Sequence, residues 1–432
     1  LVYLLCGGNK LSARMRRKMQ GVDHTMVEQL ERDYKAEKLV SFGADAVNQA
    51  RYLELYARCP VYTNTWTQYF PLGDHVFPVM LEELKRAERY IFLEYFIIGP
   101  GVFWDSIVEI LKEKHAAGVD VRIIYDDVGS LNTLPMNFAK KFEAETGIPC
   151  CFFNRFKPVI SIRMNNRDHR KFCIIDGHTA FTGGINLADE YINREMRFGH
   201  WKDSAILVKG EAAWSMTVMF LTMWEYVREV KADYAALRPA GLPPEAQLGS
   251  GYFVQPYTDN PLDNEAVGET VYLNLISKAE RYVYIMTPYL IISDCVNTAL
   301  CNAAKSGVDV RIMTPHIPDK PLVFEVTRAH YEQLLEAGVR IFEYTPGFVH
   351  AKNVVVDDRY AVVGSINMDY RSMFLHFEDA VLLYRDPTVL DVKADFLNTQ
   401  IKCQPVTLEQ CLERSWARRL FRSLLRVLSP LL

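Results

Sequence analysis

Asp168-His169-Arg170-Lys171-Phe172-Cys173-Ile174-Ile175-Asp176, followed by Gly183-Gly184-Ile185-Asn186, decides how this chain is read. The pattern is H-x-K-x4-D-x6-G-[GS]-x-N, and it returns with the same spacing at His350, Lys352, Asp357, Gly364, Ser365 and Asn367. Six specified positions should match by chance roughly once in ten million starts. Two matches in one chain therefore mark a duplication.

The duplication extends outward from the motif. Arg86-Ala87-Glu88-Arg89-Tyr90-Ile91-Phe92-Leu93 is mirrored by Lys278-Ala279-Glu280-Arg281-Tyr282-Val283-Tyr284-Ile285. Gly118-Val119-Asp120-Val121-Arg122-Ile123 is mirrored by Gly307-Val308-Asp309-Val310-Arg311-Ile312. The repeat is a whole domain, not a short solenoid unit. In the first copy, apolar Tyr90 to Ile98 suits a strand buried on both faces. Trp104 to Ala117 has helical periodicity and stops at Gly118, and Val119 to Tyr125 is the next strand. Strand–helix–strand units predict an α/β fold. Each half is expected to hold a mixed, largely parallel sheet flanked by helices, with the halves related by a pseudo-two-fold axis. The expected divisions are a leader at 1–60, a first half at 61–238, a linker at 239–250 around Pro243-Pro244, a second half at 251–405, and a C-terminal helix at 406–432.

A chain of 432 residues is long enough for two such cores. The net charge of −4 counts against a nucleic-acid partner. Nine cysteines, an odd number with no C-x-x-C, read as free thiols of a reducing compartment. No Cys/His group has zinc-site spacing, so no metal is expected. Leu1 to Cys6 is apolar and is followed by Lys10, Arg14, Arg16, Arg17 and Lys18, as on the cytoplasmic side of a membrane span. The expectation is a longer protein with an anchor upstream. In the C-terminal stretch Arg414, Arg418, Arg422 and Arg426 recur every four residues opposite a leucine-rich face. Such a helix either binds an anionic membrane surface or docks on its own domain, and the sequence leaves both open.

Side chains alternate along a strand, so His169 and Lys171 face one way, as do His350 and Lys352. With Asn186 and Asn367 they assemble two imidazoles, two ammonium groups and two amides, a set suited to a phosphodiester. The cations and amides hold non-bridging oxygens and stabilise the added charge of the transition state. One neutral imidazole attacks phosphorus and the other, protonated, serves the leaving group. No cofactor is required. Each imidazole needs a carboxylate to fix its tautomer. Asp203, 34 residues after His169, is the expected partner of His169, and Glu378, 28 residues after His350, is its counterpart in the second half. Asp176 and Asp357, of opposite parity to the histidines, are expected to brace the motifs. Glu94 and Tyr289 end matching strands and are expected to line the cleft. Gly184 and Ser365 are expected to touch substrate. His178, His200, His316 and His376 read as ordinary satisfied histidines, and Asp126-Asp127 as a strand-end turn.

On these residues the chain resembles the phospholipase D superfamily and, more narrowly, bacterial cardiolipin synthases. Supporting words are Phe92-Leu93-Glu94-Tyr95-Phe96-Ile97, Arg197-Phe198-Gly199-His200-Trp201-Lys202-Asp203, Gly347-Phe348-Val349-His350-Ala351-Lys352 and Asn367-Met368-Asp369-Tyr370-Arg371-Ser372. The resemblance implies a membrane-bound transphosphatidylation between two phosphatidylglycerols, with the catalytic halves on the cytoplasmic side of the cell membrane. Anionic membrane lipids are then the partners. Two departures stand out: Gly183-Gly184 where the superfamily often has Gly-Ser, and His376 where many relatives have Asn.

Overall fold

The structure, a computed structural model, describes residues 21, 24–155, 165–263, 265–413 and 425. The apolar stub at 1–6, the basic cluster that follows it and most of the expected C-terminal segment lie outside them. Of that segment 406–413 is described, with a helix over Leu408–Leu412 capped by Thr407, and Leu425 is buried against Ile291 and Val326. Among the described residues no helix is long and apolar enough to cross a membrane.

The first half contributes β1 (Thr65–Phe70), β2 (Tyr90–Tyr95), β3 (Asp120–Asp126), β4 (Cys150–Phe153), β5 (Arg167–Asp168), β6 (Phe172–Ile175), β7 (Thr179–Gly183), β8 (His200–Lys202) and β9 (Ala205–Gly210). The second contributes β10 (Phe253–Asp259), β11 (Tyr282–Met286), β12 (Leu290–Ile291), β13 (Asp309–Pro315), β14 (Arg340–Tyr344), β15 (Gly347–Val349), β16 (Asn353–Val356), β17 (Tyr360–Gly364), β18 (Met368–Asp369), β19 (His376–Tyr384) and β20 (Cys403–Val406). The sheet orders are β1-β9-β7-β6-β2-β3-β4 and β10-β19-β17-β16-β11-β13-β14-β20. Strand for strand the second repeats the first, and β20 is added at its edge.

The sheets are mixed, as expected, but hold more antiparallel than parallel pairing. Along the two sheet orders parallel pairing is confined to β2-β3-β4 and β11-β13-β14, and the short pairs β5-β19, β8-β15 and β12-β18 are parallel too. From the motif strands outward, β6, β7, β9 and β1 pair antiparallel, as do β16, β17, β19 and β10. The cause is local. Asp176 and Gly177, both at positive φ (53° and 74°), turn the chain straight back on itself. Asp357 and Asp358 make the same turn at 56° and 58° without glycine.

The sheets are buried on both faces. Every residue of β2 and every residue of β19 is buried. The helix Ala213–Arg228, apolar nearly all round, is buried from Ala213 to Trp224. One apolar core runs through both halves, joining Phe92, Ile174 and Phe220 to Val283, Val362 and Leu382. The halves also exchange short strands. β8 of the first pairs with β15 of the second, and β5 of the first pairs with β19 of the second. This reciprocal exchange builds the site.

Candidate active site

Both motif histidines sit in the joints between an exchanged strand and a motif strand. His169 lies between β5 and β6, and its N–H donates to Phe377 O across the exchange at 2.9 Å. His350 lies between β15 and β16, and its N–H donates to Lys202 O at 2.7 Å. Each imidazole is thereby set beside a carboxylate of the other half. His169 Nδ1 is 2.9 Å from Glu378 Oε2, and His350 Nδ1 is 2.6 Å from Asp203 Oδ2. This corrects the expected pairing of Asp203 with His169. Proximity in sequence misled, because β8 and β19 carry their carboxylates across to the opposite motif.

The imidazoles open into one cleft of about 430 Å³, lined also by Asn186, Asn367, Tyr289 and His376. Since each Nδ1 faces a carboxylate, each Nε2 is the nitrogen left for chemistry. The lysines stand beside their histidines: Lys171 Nζ donates to His169 O, and Lys352 Nζ donates to His350 O. Lys352 Nζ also lies 2.8 Å from His350 Nδ1. Burial first, and then the lysines, lowers both imidazoles; His169 falls well below the ordinary value and His350 falls to about 4. Burial also lowers Lys171 to about 8 and Lys352 to about 7. Burial would raise Asp203, but His350 and Lys352 outweigh it and hold the carboxyl below its usual range. These surroundings favour neutral imidazoles, and a bound phosphodiester anion would restore charge to the cations around it.

Asp176 and Asp357 face away from the cleft. The Asp176 carboxylate accepts from the backbone N–H groups of Glu88, Arg89 and Tyr90. Asp357 does the same for Glu280, Arg281 and Tyr282. Each ties its turn to the start of the neighbouring strand. Asp126 likewise secures the joint before His169. It accepts from the N–H groups of Val128, Gly129 and Asp168, and burial raises its carboxyl to about 7.

The asparagines differ. Asn186 Oδ1 accepts from Ile97 N and its Nδ2 donates to Tyr191 Oη, whereas Asn367 Oδ1 is buried with no hydrogen-bond partner among the described residues. Tyr289 lines the cleft and donates to Asp319.

Three expectations change. Glu94 is fully buried and pairs with Arg170 at 2.5 Å; Phe96 and Ile97, just past the strand end, line the cleft instead. Glu94 lies within the buried strand, where Arg170 holds its carboxylate, short of the residues that reach the opening. Gly184 lies behind the cleft, where a Cβ would come within 2.0 Å of Asp203 Oδ1. Ser365 is also behind it, with its hydroxyl donating to Glu378 Oε2.

His376, read from sequence as ordinary, lines the cleft. Its ring centroid is 5.5 Å from that of His169. His376 stands two residues before Glu378, as Trp201 stands two before Asp203. That offset was the available signal. Trp201 Nε1 donates to Asp203 at 3.4 Å; His376 Nδ1 is 3.5 Å from Glu378 Oε1.

The family model "Cardiolipin synthase, PLD-like domain" matches residues 80–224 and 272–399. A cardiolipin synthase of Halalkalibacterium halodurans is 33% identical over all of this chain and 86% of its own length. One from Geobacillus sp. is 34% identical, over all of this chain and 85% of its own. An uncharacterized protein of Streptococcus mutans is 44% identical over 91% of this chain and 85% of its own. A phosphatidylserine synthase structure from Haemophilus influenzae superposes with a TM-score of 0.66 at 14% identity, covering 89% of this chain and 100% of that one. At that identity the likeness shows the fold.

Proposed function

The chain belongs to the cardiolipin synthase family of phospholipase D-like proteins, a family of phosphatidyltransferases, and we propose how its residues carry the transfer. The donor is phosphatidylglycerol. Neutral His169 attacks phosphorus through Nε2, the P–O bond to glycerol breaks, and protonated His350 gives its Nε2 proton to the departing glycerol oxygen. A second phosphatidylglycerol then enters. Its glycerol hydroxyl loses a proton to His350 and attacks phosphorus, the P–N bond breaks, and cardiolipin leaves with His169 restored. Lys171, Lys352, Asn186 and Asn367 hold the non-bridging oxygens. Glu378 and Asp203 act through the two imidazoles, and Asp176 and Asp357 brace them.

The observation that carries this reading is that two imidazoles, each oriented at Nδ1 by a carboxylate of the other half, share one cleft. The catalytic unit accordingly spans 61–238 and 251–405, with 239–250 as linker. Lipid substrates favour a membrane-bound enzyme with anionic lipids as partners, and the basic segments at both ends suit the cytoplasmic face. The test is incubation with phosphatidylglycerol alone. Equimolar cardiolipin and glycerol are expected. Phosphatidic acid as the main product would make the enzyme a hydrolase instead.

A further inference from the structure

His376 is the one cleft histidine that the transfer above does not use, and its surroundings are unusual. Among the described residues its Nδ1 is buried with no hydrogen-bond partner, as is Glu378 Oε1, and the two atoms face each other at 3.5 Å. Buried polar atoms are normally satisfied. The other ring nitrogen of His376, Nε2, accepts from Arg371 Nε at 3.4 Å. One ligand atom each from His169, His376 and Glu378 lies within 4.8 Å of the others.

We propose that His169, His376 and Glu378 form an inhibitory site for a zinc-class divalent cation. Two imidazole nitrogens and one carboxylate oxygen suit zinc, cobalt or copper and not magnesium or calcium, which take oxygen-rich shells. Three protein ligands leave the fourth position of a tetrahedral ion open to the cleft. The Lys171 ammonium and the Arg371 guanidinium oppose a dication, and Glu378, Asp379, Asp203 and Asp168 in turn act on Lys171. The bound ion takes His169 out of reach of phosphorus and draws Glu378 away from orienting it. The first-half counterpart cannot do this, because the Trp201 indole has no lone pair to give, whereas a neutral imidazole has one in either tautomer.

The inhibition rests on His169 acting in the transfer; the site itself does not. The full chain is titrated with cobalt(II) and zinc(II) separately. Cobalt should give visible ligand-field bands at one ion per chain, and H376N should abolish them. Zinc should inhibit phosphatidyl transfer, and H376N, scored against its own zinc-free rate, should need at least tenfold more. Cys295 is the exposed thiol among the described residues and a competing soft ligand, so the titrations are run in C295S. Cobalt bands that persist unchanged in H376N overturn the site. Bands that vanish in H376N while zinc inhibits both proteins equally would overturn the inhibitory role and also count against His169 as nucleophile.

Discussion

The two halves repeat one another strand for strand, yet their shells around the carboxylates differ. Asp203 receives Trp201 Nε1, Ser204 N and His350 Nδ1, with Gly184 packed against it. Glu378 receives Ser365 Oγ and His169 Nδ1 and faces His376. A short carboxylate therefore goes with an indole and a glycine, and a longer one with an imidazole and a serine. The exchange of strands sets each half's histidine beside the other half's carboxylate, so neither half alone holds both members of a pair. Within one shared site the differing shells allow the two imidazoles to take different roles.

The strongest test of that difference is removal of each histidine. Both H169A and H350A should lower transfer by about four orders of magnitude. A phosphatidyl donor with a nitrophenolate leaving group, which needs no proton, separates them. With it H350A should still form a labelled phosphoenzyme and H169A should not. Label found on His350 would exchange the roles.

Next come the carboxylates. D203A and E378A should each cut kcat by up to about 10⁴-fold, the scale of a lost orienting carboxylate, with the chain still folded by circular dichroism. Unchanged turnover in either removes that residue from the site.

Making the halves alike is the third test. G184S imposes the second half's serine on the first. Its Cβ would collide with Asp203 and lie 3.0 Å from His350 O, so activity should fall at least about tenfold in steady-state assay, as for loss of an outer-shell partner. S365G, the reverse change, removes one hydrogen bond to Glu378 and should cost less than G184S. The opposite order would contradict the asymmetry described.

The smallest effect is on acid stability. His376 is held at about 3 when folded and has an ordinary value near 6.5 when unfolded. Between those values the unfolded chain binds the extra proton, so this residue's contribution to stability is present above about pH 6.5 and is lost as pH falls toward 3. Thermal melts of H376N from pH 7 to pH 4 should lose less stability than the wild type. Parallel losses would mean that His376 is not held neutral by burial.

The duplication, the motif strands and the identity of both orienting carboxylates were legible in sequence, because spacing and period are local properties. What was not legible depends on the meeting of distant strands. The exchange of β5 and β8 decides which carboxylate serves which histidine, and nothing within either motif encodes it. Glu94 was misread because its last-but-one place in β2 turns it toward Arg170 and not toward the cleft. The parallel character was overestimated because the turn at Asp176-Gly177, with its positive φ, was not given its full consequence for the strands beyond it. His376 was passed over because one histidine carries no pattern; only its equivalence to Trp201 gives it meaning.

The central claim is that the carboxylates serve across the halves, and nuclear magnetic resonance of the histidine Nδ1 protons in ¹⁵N-histidine-labelled protein tests it most directly. Hydrogen bonds to carboxylates shift these protons far downfield. D203A should erase the His350 signal and leave that of His169, while E378A should do the reverse. Loss of the His169 signal in D203A, with His350 intact, would contradict the account.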